Sequence, residues 1–144
     1  MKIPEYIPKA EVKRVCKELG IRDWTKLKKP KVTAREGNII LKALSPKGMK
    51  IEPEQFRLGL EVELEHGTML KGANVTNNHP VLTGMIVLAH FMESLDYYRR
   101  LEVAELEGDL HASIAAKNAS KAKSYHKRLS KARAELARAE ASKL

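Results

Sequence analysis

Two short stretches pair a carboxylate with an imidazole at helical spacing: Glu63 with His66, and His90 with Glu93. Side chains three apart share one face of an α-helix, so each pair offers two metal ligands or one hydrogen-bonded couple. On a helical wheel Glu63 and His66 fall inside the apolar arc of Phe56, Leu60 and Leu64, with Gly59 beside them. Glu61 and Glu65 occupy the opposite arc and are expected in solvent. In the second stretch His90, Glu93 and Tyr97 share a face with Ile86 and Leu101. The inverted order suits an antiparallel helix pair that brings the two couples level. Two chemistries then compete. Neutral imidazole and carboxylate suit Zn, Fe or Mn, and Glu-x-x-His is half of the di-iron helical-bundle pattern, which implies a ferritin-like or redox role. Alternatively, Glu63 pairs with His90 and Glu93 with His66 in a buried polar network whose members satisfy one another.

No other residues assemble a catalytic set. The serines lie in turns or in the polar C-terminal stretch, and neither a Gly-rich phosphate loop nor an H-E-x-x-H zinc motif occurs. The chain therefore reads as a non-enzymatic binding or structural protein.

The elements that must position these residues are helical. Pro8 to Leu19 forms a first helix with Val12, Val15, Cys16 and Leu19 as its apolar stripe and Gly20 as its C-terminal cap. Cys16, the only cysteine, belongs to that stripe as a packed thiol. A basic loop over residues 21–32 follows, pinned to the core by Trp24, the only tryptophan. Thr33-Ala34-Arg35-Glu36 has the form of a capping box and starts a short helix through Leu44, although Ile39-Ile40-Leu41 also suits a strand. After the turn Ser45-Pro46-Lys47-Gly48, a helix beginning at Glu52-Pro53-Glu54 runs to His66 and stops at Gly67. An Asn- and Gly-rich loop leads to Pro80, which opens the longest apolar helix, continuing to about Glu107. Gly108-Asp109 marks a break. Residues 110–142 read as one basic helix in which Tyr125, Leu129, Ala132, Leu136 and Ala139 repeat at heptad spacing. The expected fold is all-α: a helical core domain over residues 1–108 with a central antiparallel helix pair, then a basic C-terminal helical arm over 109–144.

Charge is unevenly distributed along the chain. Residues 1–50 carry +9, residues 51–108 carry −6 and residues 109–144 carry +6. A basic head and tail around an acidic middle suggest contact with a polyanion or with a neighbouring subunit. The cations in question are Lys117, Lys121, Lys123, Lys127, Arg128, Lys131, Arg133 and Arg138, and the seam left for oligomer packing is Tyr125, Leu129 and Leu136. No apolar run approaches the ~20 residues that cross a bilayer, and Met1 to Lys9 lack signal-peptide character. The expected location is a virion or the host cytoplasm, with no membrane partner.

The middle of the chain carries a recognisable pattern: Phe56, Gly59, Glu63-Leu64-Glu65-His66-Gly67, Asn74-Val75-Thr76-Asn77, Pro80, Thr83-Gly84, Ala89-His90, Glu93, Asp96-Tyr97-Tyr98 and Leu101. It resembles an uncharacterised family, a domain of unknown function found in tailed phages and prokaryotic genomes, over roughly residues 50–106. The likeness departs at Asn78 and His79, where such sequences tend to carry acids. It implies a helical fold and a phage setting without a mechanism. The expected function is thus a phage virion-associated, capsid- or tail-linked assembly protein whose basic arm meets other virion proteins, a second copy of itself or nucleic acid. A metal-binding helical protein and a nucleic-acid-binding accessory protein are the alternatives.

Overall fold

The structure, a computed structural model, describes residues 7–70, 72 and 74–142. Of the opening stretch read above, Met1 to Tyr6 lie outside the described residues. The all-α expectation holds, with no strand among the described residues. The elements are α1 (Lys9–Leu19), a 3-10 turn (Trp24–Lys26), α2 (Ala34–Leu44), α3 (Pro53–Glu63), α4 (Glu65–Thr68), α5 (Pro80–Glu93), α6 (Tyr97–Ala115) and α7 (Ala119–Ala141). They divide into two compact units, Met1–Met92 and Glu93–Leu144.

In the first unit, local signals fix the helix ends. Gly20 adopts a left-handed conformation, φ 65°, and its N–H closes α1 onto Cys16 and Lys17. Thr33 and Glu36 form the reciprocal capping box, so the Ile39-Ile40-Leu41 stretch is helix rather than strand. Proline starts α3, where its missing N–H costs nothing. The antiparallel neighbours are α2 and α3: Gly37 lies on Arg57, and Glu61 accepts from the Val32 N–H. Helix α5 meets α3 through side chains at Phe56 with Gly84 and at Glu63 with His90. Those two contacts advance in the same sense along both helices, so α3 and α5 are not the antiparallel pair. Trp24, Ile40, Phe56, Leu60, Leu64 and Val87 are buried in the core.

Gly84 sets the approach of α5. A Cβ there would lie 2.6 Å from Leu44 Cδ1, 3.0 Å from Ile40 Cγ2 and 3.3 Å from Phe56 Cζ. Overpacking costs about 1–3 kcal/mol, whereas alanine returns about 1 kcal/mol of helix propensity. Gly84→Ala is expected to destabilise by about 1 kcal/mol in urea unfolding, because Ile40 is rigid and fully buried. A variant as stable as the parent would show that the α2–α5 contact is slack.

Three helix boundaries differ from expectation. Helix α3 ends at Glu63, and the chain then turns tightly through α4, with the Gly67 and Thr68 N–H groups and the Thr68 hydroxyl all bonded to the Leu64 carbonyl. The long apolar helix is two helices, interrupted at 94–96. There the Ser94 hydroxyl accepts from the Asp96 N–H and the Ser94 carbonyl from the Tyr97 N–H, competing with the helical ladder. No break occurs at Gly108, which sits within α6. The chain reverses instead at 116–118, where Lys117 has φ 53° and the Asn118 side chain caps Lys121. The second unit is therefore an α6–α7 hairpin rather than one helix over 110–142. Leu106, Leu129 and Ala132 are its buried core, flanked by Val103, Leu110 and Tyr125. Arg133–Glu107, at 2.6 Å, and Arg100–Glu140 tie the two helices together.

Candidate functional site

The Glu63 carboxylate sits between two histidines. Its Oε1 is 3.5 Å from His90 Nε2 and its Oε2 is 3.9 Å from His66 Nε2. The Glu63 side chain is 9% exposed and that of His90 26%, so this couple is largely withdrawn from water, as the wheel predicted. His66 is 55% exposed. The reason lies in the backbone: the α3–α4 break at Leu64 rotates His66 off the apolar arc, while the Leu64 side chain takes the buried position. Glu93 is exposed at the last residue of α5 and belongs to the second unit. Among the described residues no three His, Cys, Asp or Glu side chains converge in a way that would hold a metal ion. Three of the four candidate ligands, Glu63, His66 and His90, are thus brought into one chain of contacts within the first unit.

A second electrostatic centre of the first unit is one the spacing does not single out. Glu36, the acid of the capping box, is 4% exposed and accepts five hydrogen bonds. Arg22 donates twice, at 2.8 and 2.6 Å, Thr33 donates its N–H and its hydroxyl, and Trp24 Nε1 donates at 3.3 Å. Burial alone would push this carboxyl up. The Arg22, Thr33 and Trp24 donors outweigh it and hold the group at about 2. Glu61, expected in solvent, is also held: Arg57 lies 2.7 Å away and the Val32 N–H 3.0 Å away. Both missed carboxylates fix the basic loop, which explains how a segment rich in lysine stays against the core.

Cys16 is buried and free, as its stripe predicted, and burial pushes its thiol up, so it is poorly suited to nucleophilic work. His79 is buried just before α5, where Nδ1 accepts from the Leu82 N–H at 3.2 Å. Burial lowers its proton affinity, which keeps the ring neutral and able to act as a cap.

In the second unit the predicted cations separate into classes. Arg133 is spent on Glu107, Arg128 lies over the Tyr125 ring at 5.6 Å, and Lys117 occupies the turn. Leu129 is buried and Tyr125 partly buried against α6 of the same chain, so most of the seam read as an oligomer contact is used internally. Leu136 is half-buried. Lys123, Lys127, Lys131 and Arg138 remain exposed. At ~100° per residue they fall within roughly 80° of one another, a stripe about 22 Å long on the edge of α7. Lys131 has one weak link, to Glu135 at 3.6 Å. Lys121, also exposed, lies nearer the α6 side and lines a small cavity with Asp109 and Tyr125.

No helix among the described residues is long and apolar enough to cross a membrane. No curated protein and no solved structure matches the chain. The pattern of one family does match, over residues 12–107, which takes in the whole Glu36 and Glu63 neighbourhood and most of α6; the chain belongs to that family, described as a protein of unknown function (DUF5661).

Proposed function

We propose that this protein is a non-enzymatic, phage virion-associated assembly protein whose α6–α7 hairpin presents a cationic edge to a nucleic-acid backbone. The observation that carries the reading is the stripe of Lys123, Lys127, Lys131 and Arg138 along α7. Of the hairpin's acidic residues, Glu107 takes Arg133 and Glu140 takes Arg100, while Glu135 reaches the stripe at Lys131, 3.6 Å away. The stripe is therefore mostly charge left over for an external anion. Successive members four apart rise by about 6 Å, a spacing that lets a lysine row follow a charged strand without a base-reading element. The phage setting rests on the resemblance carried by the pattern from Phe56 to Leu101.

The test is fluorescence anisotropy of the full chain with a labelled DNA duplex across a salt series. Log affinity is expected to fall linearly with log salt, with a slope near that of about four phosphate contacts. Absence of binding at low salt would overturn the reading. A salt-insensitive association lost on Leu136→Asp would do so as well, since it would make α7 a subunit-packing helix.

A second reading has one observation in its favour, the position of Glu63 between His66 and His90. A divalent Zn, Fe or Mn ion would draw both imidazoles onto the carboxylate. Zn is then expected to raise the melting temperature of the parent and not of His90→Ala. A melting temperature indifferent to Zn and to chelator would leave the three residues as a polar network.

A further inference from the structure

Residues 74–79 enter α5 through His79, and side chains hold their path. Asn77 and Asn78 both have left-handed backbones, φ 49° and 62°, which asparagine tolerates better than most residues. The Asn77 amide donates to the Ile7 carbonyl at 2.6 Å, and Asn78, 6% exposed, donates to the Trp24 carbonyl at 3.4 Å. The His79 N–H donates to the Thr76 carbonyl at 3.0 Å. The His79 side chain then turns onto the helix that follows. His79 is 7% exposed, and its Nδ1 accepts from the N–H of Leu82, the third residue of α5. That N–H is one of those a helix cannot satisfy from within.

This cap exists only while the ring is neutral. A neutral imidazole has one acceptor nitrogen, whereas an imidazolium has two donors and none. A proton on Nδ1 would set N–H against N–H and leave the Leu82 donor unsatisfied. It would also place a buried positive charge against the positive end of α5. The charged groups that act on the ring are Glu11 and Arg14, both of α1, the first favouring the proton and the second opposing it. Glu11 is already engaged by Arg14 at 2.8 and 2.7 Å. Burial has the largest influence, and it holds the ring below its ordinary 6.5. The sign follows from that lowering. Once the segment opens, the ring takes up a proton more readily than when closed, so acid favours opening. The closed form has its full advantage above 6.5 and loses it as pH falls below that value. The rest of α5 is anchored differently, by Gly84, Val87 and Phe91, which are buried and do not titrate.

We propose that His79 is an acid-sensitive latch, whose protonation releases residues 74–79 and the first turn of α5 together while the rest of the first unit stays folded. The inference is independent of the α7 stripe, which lies in the other unit. Amide hydrogen exchange of the full chain, read residue by residue by NMR at about pH 7.5 and about pH 5, brackets the ordinary titration of an imidazole. After correction for the intrinsic effect of pH on exchange, protection of the Leu82 amide is expected to fall about tenfold or more at the lower pH, while that of Ile40 in α2 changes by less than about twofold. His79→Asn sets an uncharged oxygen near the place of Nδ1, and asparagine is a good cap. In that variant Leu82 is expected to keep the same protection at both pH values. Equal protection of Leu82 in the parent at the two pH values would overturn the proposal. So would the same loss in His79→Asn, since another group would then be titrating. If Ile40 loses protection in step with Leu82, the whole unit is unfolding and there is no latch. Should His79→Asn fail to fold, the comparison of Leu82 with Ile40 in the parent decides alone.

Discussion

Glu36→Gln is expected to lower the stability of this protein by about 3 kcal/mol at neutral pH. The carboxyl is held at about 2 against an ordinary 4.5, and each unit of such a shift corresponds to about 1.4 kcal/mol. Water screens little of this interaction at Glu36, which is 4% exposed, although Arg22 is half in solvent. Glutamine keeps the shape but offers a single acceptor oxygen to donors that engage two. Its own N–H would face the Thr33 and Arg22 donors, leaving at least one of them unpaired. The sign with pH follows from the lowered value. The contribution is complete above 4.5, where the unfolded carboxyl is ionised, and fades as pH falls through about 2, where the folded one protonates. Urea unfolding followed by the single Trp24 should therefore show parent and variant far apart at neutral pH and converging toward pH 2. A gap that stays constant over that range would mean that ionisation of Glu36 is not the source of the loss.

How much of this was legible in the sequence depends on how far apart the partners lie. Thr33 and Glu36 are three residues apart, and the capping box was readable as such. The same Glu36 binds Arg22 and Trp24, 14 and 12 residues earlier, and no periodicity couples a loop to a helix at that range. The Glu63–His66 couple was placed correctly at Glu63 and incorrectly at His66, because a wheel assumes an unbroken helix. At the break the Thr68 hydroxyl and the Gly67 and Thr68 N–H groups share the Leu64 carbonyl. Glycine misled at 108 and serine was undervalued at 94. A glycine flanked by strong helix formers stays helical at a cost near 1 kcal/mol, while a serine side chain that captures a nearby N–H interrupts the ladder outright. The basic C-terminal segment was legible as helix, but not as half of a hairpin. Its thin seam of Tyr125 and Leu129 suffices because α6 supplies Leu106 and two cross-helix ion pairs.

Neutralising the α7 stripe by changing Lys123, Lys127, Lys131 and Arg138 together to glutamine is expected to weaken duplex DNA binding roughly 10³-fold at physiological salt. Each phosphate contact contributes about 0.9 to the slope of log affinity against log salt. Loss of four lowers that slope by about 3.6, and at about 0.15 M salt this corresponds to nearly three decades of affinity. The fold should survive. Glutamine matches lysine and arginine in helix propensity, and the Arg133–Glu107 and Arg100–Glu140 ties are untouched. Two exposed links are removed: the Lys131–Glu135 pair, worth about 0.3–0.5 kcal/mol, and the Arg138 Nε donation to the Ala134 carbonyl at 3.2 Å. A control of equal charge, with the exposed Lys13, Lys17, Lys42 and Lys47 of the first unit changed to glutamine, separates a local contact from a general effect of net charge. If the stripe is the contact, the control leaves the slope nearly unchanged and costs less than tenfold in affinity, since only long-range attraction is reduced. Equal losses in the two variants would mean that the chain binds DNA through its overall +9 charge, and that the alignment of cations on α7 has no part in it.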